Sequence, residues 1–208
     1  MARTDPSLHE IQQLLGTMCG GNFLGYHFAS NHEDRLLALE TILEHCYDSL
    51  VSDRQLSQNF NEDALTTQIV RQLQLIKVEA THDTRTGGHC DIHVTGADRF
   101  LWIAEAKIHR DFGWLQKGFA QISTRYGVAG YGRDHGEILI YCRVKEARKI
   151  LEEWKNRLIT ARKDVNLVED LKSPNLHFRT CHQCATSGLP FYIRHRIVPL
   201  YWAGKVSR

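Results

Sequence analysis

No charge of one sign dominates this chain of 208 residues. Lysine and arginine number 26 against 24 aspartates and glutamates, for a formal net charge of +2. That balance excludes a whole-surface attraction to polyanions, so contact with nucleic acid has to come from a local cluster. Long apolar runs are missing too. No segment approaches the roughly 20 residues that a membrane helix requires, and the opening Met1-Ala2-Arg3-Thr4-Asp5-Pro6 carries no apolar signal core. A cytoplasmic protein without membrane contact is expected. The six cysteines are scattered, at 19, 46, 90, 142, 181 and 184, a spread that reads as reduced thiols rather than a disulfide framework. Cys181 and Cys184 form a CxxC without the second pair that a structural zinc site often uses. Strand-like flanks and the turn-rich 185–190 mark a late hairpin there, not a metal knuckle. Repeats, low-complexity stretches and obvious linkers are absent. Hydrophobic residues, at 42%, suffice for a substantial core in one domain.

Within this ordinary background, three ionisable groups occupy apolar, strand-like runs. The first run is Gly87-Gly88-His89-Cys90-Asp91-Ile92-His93-Val94. The second is Phe100-Leu101-Trp102-Ile103-Ala104-Glu105-Ala106-Lys107-Ile108. Burying a charge is costly unless it is paired or binds a metal. Strand side chains alternate, so Glu105 and Lys107 share a face with Leu101 and Ile103, while Trp102, Ala104, Ala106 and Ile108 make the other face wholly apolar. Such a strand is central and covered on both sides. Residues 95–99 carry Gly and Asp, which suit a hairpin loop. Paired as a hairpin, the strands bring Asp91 beside Glu105 at the open end. Two carboxylates that repel each other invite a hard divalent cation. Mg²⁺ takes one or two protein carboxylates and keeps several waters. A lysine alongside can orient a water or stabilise developing charge. The set suits metal-dependent phosphodiester hydrolysis; the plainer reading is a buried ion pair.

Gly88-His89-Cys90-Asp91-Ile92 followed by Ile103-Ala104-Glu105-Ala106-Lys107 resembles the core of the PD-(D/E)XK nuclease superfamily, the restriction-endonuclease-like fold. Cys90 stands where the motif has proline. The resemblance covers residues 60–145 and implies that Asp91 and Glu105 bind Mg²⁺ or Mn²⁺, that the Ala106 carbonyl completes the metal shell, and that Lys107 assists the attacking water. Many members add a glutamate from the preceding helix; Glu62 is the better match here and Asp63 its rival. Some branches place a glutamine and then a basic residue on the helix after the motif. Gln121 and Arg125 match those positions. By resemblance the products are a 5′-phosphate and a 3′-hydroxyl, and such domains serve as effectors in bacterial anti-phage defence or interbacterial conflict.

The remaining pattern fits an α/β fold: a mixed central β-sheet flanked by helices, with a restriction-endonuclease-like core over 61–208 and an N-terminal helical extension over 1–60. Helices are expected over 8–18, 33–50 (Leu36, Leu39, Leu43, Tyr47 on one stripe), 61–73 with Asn61 as cap, 114–127 and 145–160. In 114–127, Leu115, Phe119, Ile122 and Tyr126 form an apolar stripe, and Lys117, Gln121 and Arg125 a polar one. Strands are expected over 76–81, 89–95, 101–109 and 137–143, then the late hairpin, with 163–175 as an irregular connection. The basic stretch 143–163 is interleaved with Glu146, Glu152 and Glu153 and reads as a solvated helix. His93 and His109 flank the triad and are read as hydrogen-bonded strand-edge residues. The leading reading is an Mg²⁺- or Mn²⁺-dependent endonuclease acting on DNA. Lys117 and Arg125 would contact substrate and Gln121 would hold the site. Homodimerisation is open, and residues 1–60 could recruit an ATPase or sensor subunit. The alternative is a non-catalytic nucleic-acid-binding or recruiting subunit on the same fold.

Overall fold

The computed structural model describes residues 23–85, 89–126, 128–168 and 176–204; the helix expected over 8–18 lies outside them. The elements run α1 (Phe23–His27), α2 (His32–Ser52), α3 (Arg54–Ser57), α4 (Glu62–Leu75), β1 (Glu79–Arg85), β2 (His89–Thr95), β3 (Leu101–Ile108), α5 (Phe112–Gln121), β4 (His135–Cys142), α6 (Ala147–Ala161), β5 (Asn166–Val168), β6 (His177–Gln183) and β7 (Pro190–Pro199). The strands form one seven-stranded sheet in the order β1-β2-β3-β4-β7-β6-β5. Its centre, β3-β4-β7, is parallel, and both flanks are antiparallel. This is the mixed α/β sheet that the element order implied.

Parallel strands need cover on both faces, and β3 has it. Trp102, Ala104 and Ala106 pack with Leu139 and Tyr141 against Leu39, Leu43 and Tyr47 of α2 and Leu65 and Ile69 of α4. On the other face, Ile103 joins Ile138, Ile140 and Ile197 under Leu115 and Phe119 of α5 and Leu151 and Trp154 of α6. Each fully buried large side chain contributes about 1.5–3 kcal/mol. Helix α2 belongs to the same core as the sheet.

Local chemistry sets the boundaries. Asn61 caps α4 by accepting from the Ala64 amide at 2.8 Å. Asp111 caps α5 by accepting from the Trp114 amide at 2.8 Å, so this helix starts at Phe112, earlier than expected. It ends as an α-helix at Gln121 and widens into a π-helical turn over Ile122–Tyr126. Helix α4 closes through Lys77 at φ 61°, with the Val78 amide returning to the Leu73 carbonyl. That closure consumes 76–78 and moves the first strand to Glu79. The connection expected to be irregular contains β5, whose Asn166, Leu167 and Val168 pair with Cys181, Thr180 and Arg179. The late hairpin is β6–β7. On α6, Lys149–Glu146, Lys155–Glu152 and Arg157–Glu153 pair at helical spacing, as a solvated face does.

A buried charge network joins α2 to the sheet. Glu137 of β4 accepts from Tyr47 Oη at 2.6 Å and from Arg194 Nε at 2.5 Å. Glu44 accepts from Arg194 at 3.2 Å and from Arg196 at 2.7 Å, and Glu40 binds both terminal nitrogens of Arg179 at 2.9 and 2.6 Å. Three carboxylates thus meet three guanidiniums. Burial pushes the Glu40 and Glu44 carboxyls up, but the arginines outweigh it and hold both below the usual range. For Glu137, buried completely, desolvation wins and the carboxyl is raised despite Arg194 and Tyr47. Arg194→Ala, which strands Glu137, should cost about 3–5 kcal/mol in urea denaturation, and Glu137→Leu with Arg194→Met should recover most of that loss. Additive losses in the double variant would show that the two are not a pair.

His195 is a second buried polar group. Trp154 Nε1 donates to its Nδ1 at 3.1 Å, which places the ring proton on Nε2 facing Thr180 Oγ1 at 2.9 Å. Its ring stacks on Phe178 at 4.4 Å between centroids. Burial lowers its pKa from 6.5 to about 3. The neutral ring therefore contributes fully above pH 6.5, and the contribution is lost as pH falls, because only the unfolded chain then takes up the proton. The stability difference between wild type and His195→Gln should shift against wild type by about 1.4 kcal/mol per pH unit of acidification below that value. Urea midpoints at a series of pH values read this; a pH-independent difference would mean that the ring does not stay neutral.

Candidate active site at the open end of the β2–β3 hairpin

The β2–β3 ladder runs from Thr95↔Leu101 to Ile92↔Ala104, so the next position sets Asp91 opposite Glu105. There Asp91 Oδ2 accepts from the backbone amide of Ala106 at 2.7 Å. One step further along β3, Glu62 Oε2 accepts from the Ile108 amide at 2.7 Å. Two acidic side chains thus take up strand amides where the ladder ends, one from β2 and one from the first turn of α4. Asp63 lies instead 3.9 Å from His82 Nε2, with its side chain 72% exposed. Of the two rivals, Glu62 reaches the triad.

Lys107 collects the acids. Its Nζ stands 2.5 Å from Glu105 Oε1, 3.4 Å from Glu62 Oε1 and 3.8 Å from Asp91 Oδ2, and it donates to the Ala106 carbonyl at 2.9 Å. Glu105 is 1% and Lys107 5% exposed, so this is a recess. The side chains of Asp91 and Glu62 are open to solvent by about a quarter, at 23% and 25%. Three carboxylates face one ammonium. Burial, reinforced by Asp91, pushes the Glu105 carboxyl up to about 7 against the pull of Lys107. Burial also raises Asp91, against Lys107 and the Ala106 amide. For Lys107, burial disfavours the ammonium, but Glu105, Asp91 and Glu62 together outweigh it and raise its pKa.

The donors that gather here are all hard oxygens: Asp91, Glu105, Glu62 and the Ala106 carbonyl. Glu105 Oε2 is buried without a hydrogen-bond partner. Excess negative charge, an orphaned carboxylate oxygen and oxygen-only donors fit a hard divalent cation such as Mg²⁺ or Mn²⁺ that retains waters. The carboxylates converge on the lysine, and among the described residues no three His, Cys, Asp or Glu side chains are grouped so that, as placed, they could hold a metal ion.

Helix α5 roofs the recess. A Cβ on Gly118 would lie 3.1 Å from Lys107 Cγ and 3.5 Å from Glu105 Cγ, so glycine lets the helix backbone rest on the pair. Trp114 and Gln121 lie one turn to either side on the same stripe. The Trp114 ring centroid is 5.3 Å from Lys107 Nζ, 3.8 Å from Arg110 Cζ and 5.8 Å from Lys117 Nζ. Gln121 is half-buried at the helix end and Lys117 is exposed. The side chain of Arg125 lies outside the described residues. Sequence reading passed over Gly118, Trp114 and Arg110; the spacing 114–118–121 was the signal for the first two.

Gly118→Ala should remain within about 1 kcal/mol of wild type, since better helix propensity offsets the tight contact. Gly118→Leu should lose about 1–3 kcal/mol by overpacking the Lys107 side chain. Thermal and urea unfolding of both variants check this, and equal stability would mean that α5 does not rest on the triad. Beyond this geometry, no family model, curated protein or solved structure matches the chain.

Proposed function

We propose that the protein is a metal-dependent nuclease, an endonuclease acting on DNA, with a restriction-endonuclease-like core. One observation carries the reading: Asp91, Glu105 and Glu62, from two strands and a helix, meet around Lys107 in a recess where Glu105 keeps an unpartnered oxygen. A non-catalytic binding or recruiting subunit has no need for three carboxylates held this way. The resemblance of Asp91, Glu105-Ala106-Lys107 to the PD-(D/E)XK motif points the same way.

In this reading Asp91, Glu105, the Ala106 carbonyl and Glu62 hold Mg²⁺ or Mn²⁺. The bound ion supplies Lewis-acid polarisation of a phosphoryl oxygen and a more acidic water. Lys107 orients the attacking water and offsets charge that develops on the phosphate. Glu105 and Asp91 fix the ammonium in place, and Gly118 keeps α5 close enough to limit bulk water. Gln121 maintains the site, and Lys117 and Arg125 contact the substrate. Hydrolysis leaves a 5′-phosphate and a 3′-hydroxyl. Residues 1–60 recruiting an ATPase or sensor, homodimerisation, and a place in anti-phage defence belong to the same proposal.

Incubation with plasmid and single-stranded DNA in Mg²⁺, Mn²⁺ or EDTA tests it. Wild type should cleave in a metal-dependent way, and Lys107→Ala and Glu105→Gln should each lose at least about 10²-fold in rate. Glu105→Gln should nevertheless match or exceed wild type in melting temperature at pH 8. A carboxyl raised to about 7 in the fold costs stability as pH climbs from its ordinary 4.5, and the amide removes that cost. A folded wild type inert with both metals, or cleavage indifferent to Lys107→Ala, rejects the proposal.

A further inference from the structure

We propose that the ridge formed by Arg110, Trp114 and Lys117 binds an unpaired nucleic-acid strand and feeds its backbone into the recess, so that the substrate is single-stranded. This deepens the nuclease reading and rests on it only for what happens to the phosphate.

Two independent features carry the inference. The first is depth. Glu105 and Lys107 are all but closed off beneath α5, whereas the side chains of Asp91 and Glu62 beside them stay about a quarter exposed, at 23% and 25%. A duplex is stiff and holds its phosphates on a broad rod, whereas a single strand can bend a phosphodiester inward. The second is chemistry at the lip. Trp114 stands 5.3 Å from Lys107 Nζ, and the Arg110 guanidinium covers its ring at 3.8 Å, with Lys117 Nζ at 5.8 Å. The Trp114 Nε1 donor is buried without a partner. Neighbouring Phe112 carries Arg157 at 4.6 Å and the His109 ring at 5.5 Å. Aromatic faces interleaved with cations are what strand-tracking surfaces use: bases stack on rings or guanidinium planes, and cations follow the phosphates.

Outside the recess, two acids near the ridge are already engaged. Asp111 caps α5, and Glu153 pairs with Arg157 at 2.6 Å, which removes Arg157 from the count of available cations. Arg110 and Lys117 have no ion-pair partner among the described residues and are exposed. A base laid on the outer face of Arg110 would continue the Arg110–Trp114 stack, one residue pair away from Lys107. Nothing in this set reads a 2′-hydroxyl, so unpaired DNA and RNA share the recognition chemistry. An acidic peptide would satisfy the cations but leave the stack unused.

The test is binding in EDTA, where no cleavage is needed. Fluorescently labelled 12-mers of single-stranded DNA, single-stranded RNA, the DNA duplex and an abasic DNA strand are titrated by anisotropy, with a polyglutamate peptide as competitor. A normal single strand should bind at least about ten-fold tighter than the duplex and the abasic strand, the size of effect that stacking of one base supplies. Trp114→Leu should lose a similar factor, Trp114→Phe should keep most of the affinity, and Arg110→Ala should flatten the salt dependence. Thermal unfolding verifies that each variant folds, and the phenylalanine variant keeps the ring if leucine does not. Either sugar alone, or both, meeting the single-strand criterion upholds the inference. Equal affinity for the duplex or the abasic strand, indifference to Trp114→Leu, or equal competition by polyglutamate overturns it. A wild type that binds single strands through Trp114 yet never cleaves sinks the nuclease reading alone. Cleavage of duplex by a protein indifferent to Trp114→Leu sinks this inference alone.

Discussion

The ammonium of Lys107 is the fixed point of the candidate site. It draws Glu105 from its own strand, Asp91 from the neighbouring strand and Glu62 from the start of α4 into one recess. Two of those acids do double duty. Asp91 and Glu62 accept the Ala106 and Ile108 amides of β3 where β2 no longer pairs with it. Buried amides must find acceptors, so the end of the ladder itself calls for oxygen-bearing side chains there. Backbone satisfaction and charge neutralisation converge on the same residues, which ties the site to the architecture.

The two faces of the sheet treat charge differently. Between α2 and the sheet, three carboxylates and three guanidiniums neutralise each other, and the arginines depress Glu40 and Glu44. Under α5, three carboxylates share one ammonium, and Asp91 and Glu105 are pushed upward. Glu137 is raised even within the balanced set, because complete burial outweighs its partners. The difference is therefore one of stoichiometry, not merely of burial. A balanced network can serve stability or specificity. An unbalanced one costs stability, and such costs persist where function needs them.

The central strand was legible in the sequence because alternation is a local property. Trp102, Ala104 and Ala106 face one way and Ile103, Glu105 and Lys107 the other, as the period of two requires. Asn61 as the cap of α4 was equally local. What escaped depends on distant partners or on backbone detail. The pairing of Glu40 and Glu44 is invisible locally, because their arginines lie 139 and 150 positions away. Glu62 was preferred to its rival Asp63, and the docking of α4 against β3 puts Glu62 at Lys107 and Asp63 at His82. The start of β1 shifted because Lys77 takes a left-handed conformation that no propensity assigns to lysine. Gly118 was passed over, since a close approach is visible only once the approaching strand is in place.

Near-neutrality of the whole chain is a sum over regions with different tasks. The 26 basic residues nearly cancel the 24 acidic ones, yet the cancellation is local in the α2 network and on the face of α6, where ions pair at short range. It fails at the recess, which is negative, and at the adjoining Arg110–Trp114–Lys117 ridge, which is positive. Interactions between solvent-exposed charges beyond a Debye length of about 8 Å are largely screened at physiological ionic strength. The potential at this surface is therefore set by the recess and the ridge together, not by the +2 of the sequence. The close contact of Trp114 with Arg110 and Lys107 joins ridge to recess, and α5 supplies it by presenting tryptophan and glycine one turn apart on one face.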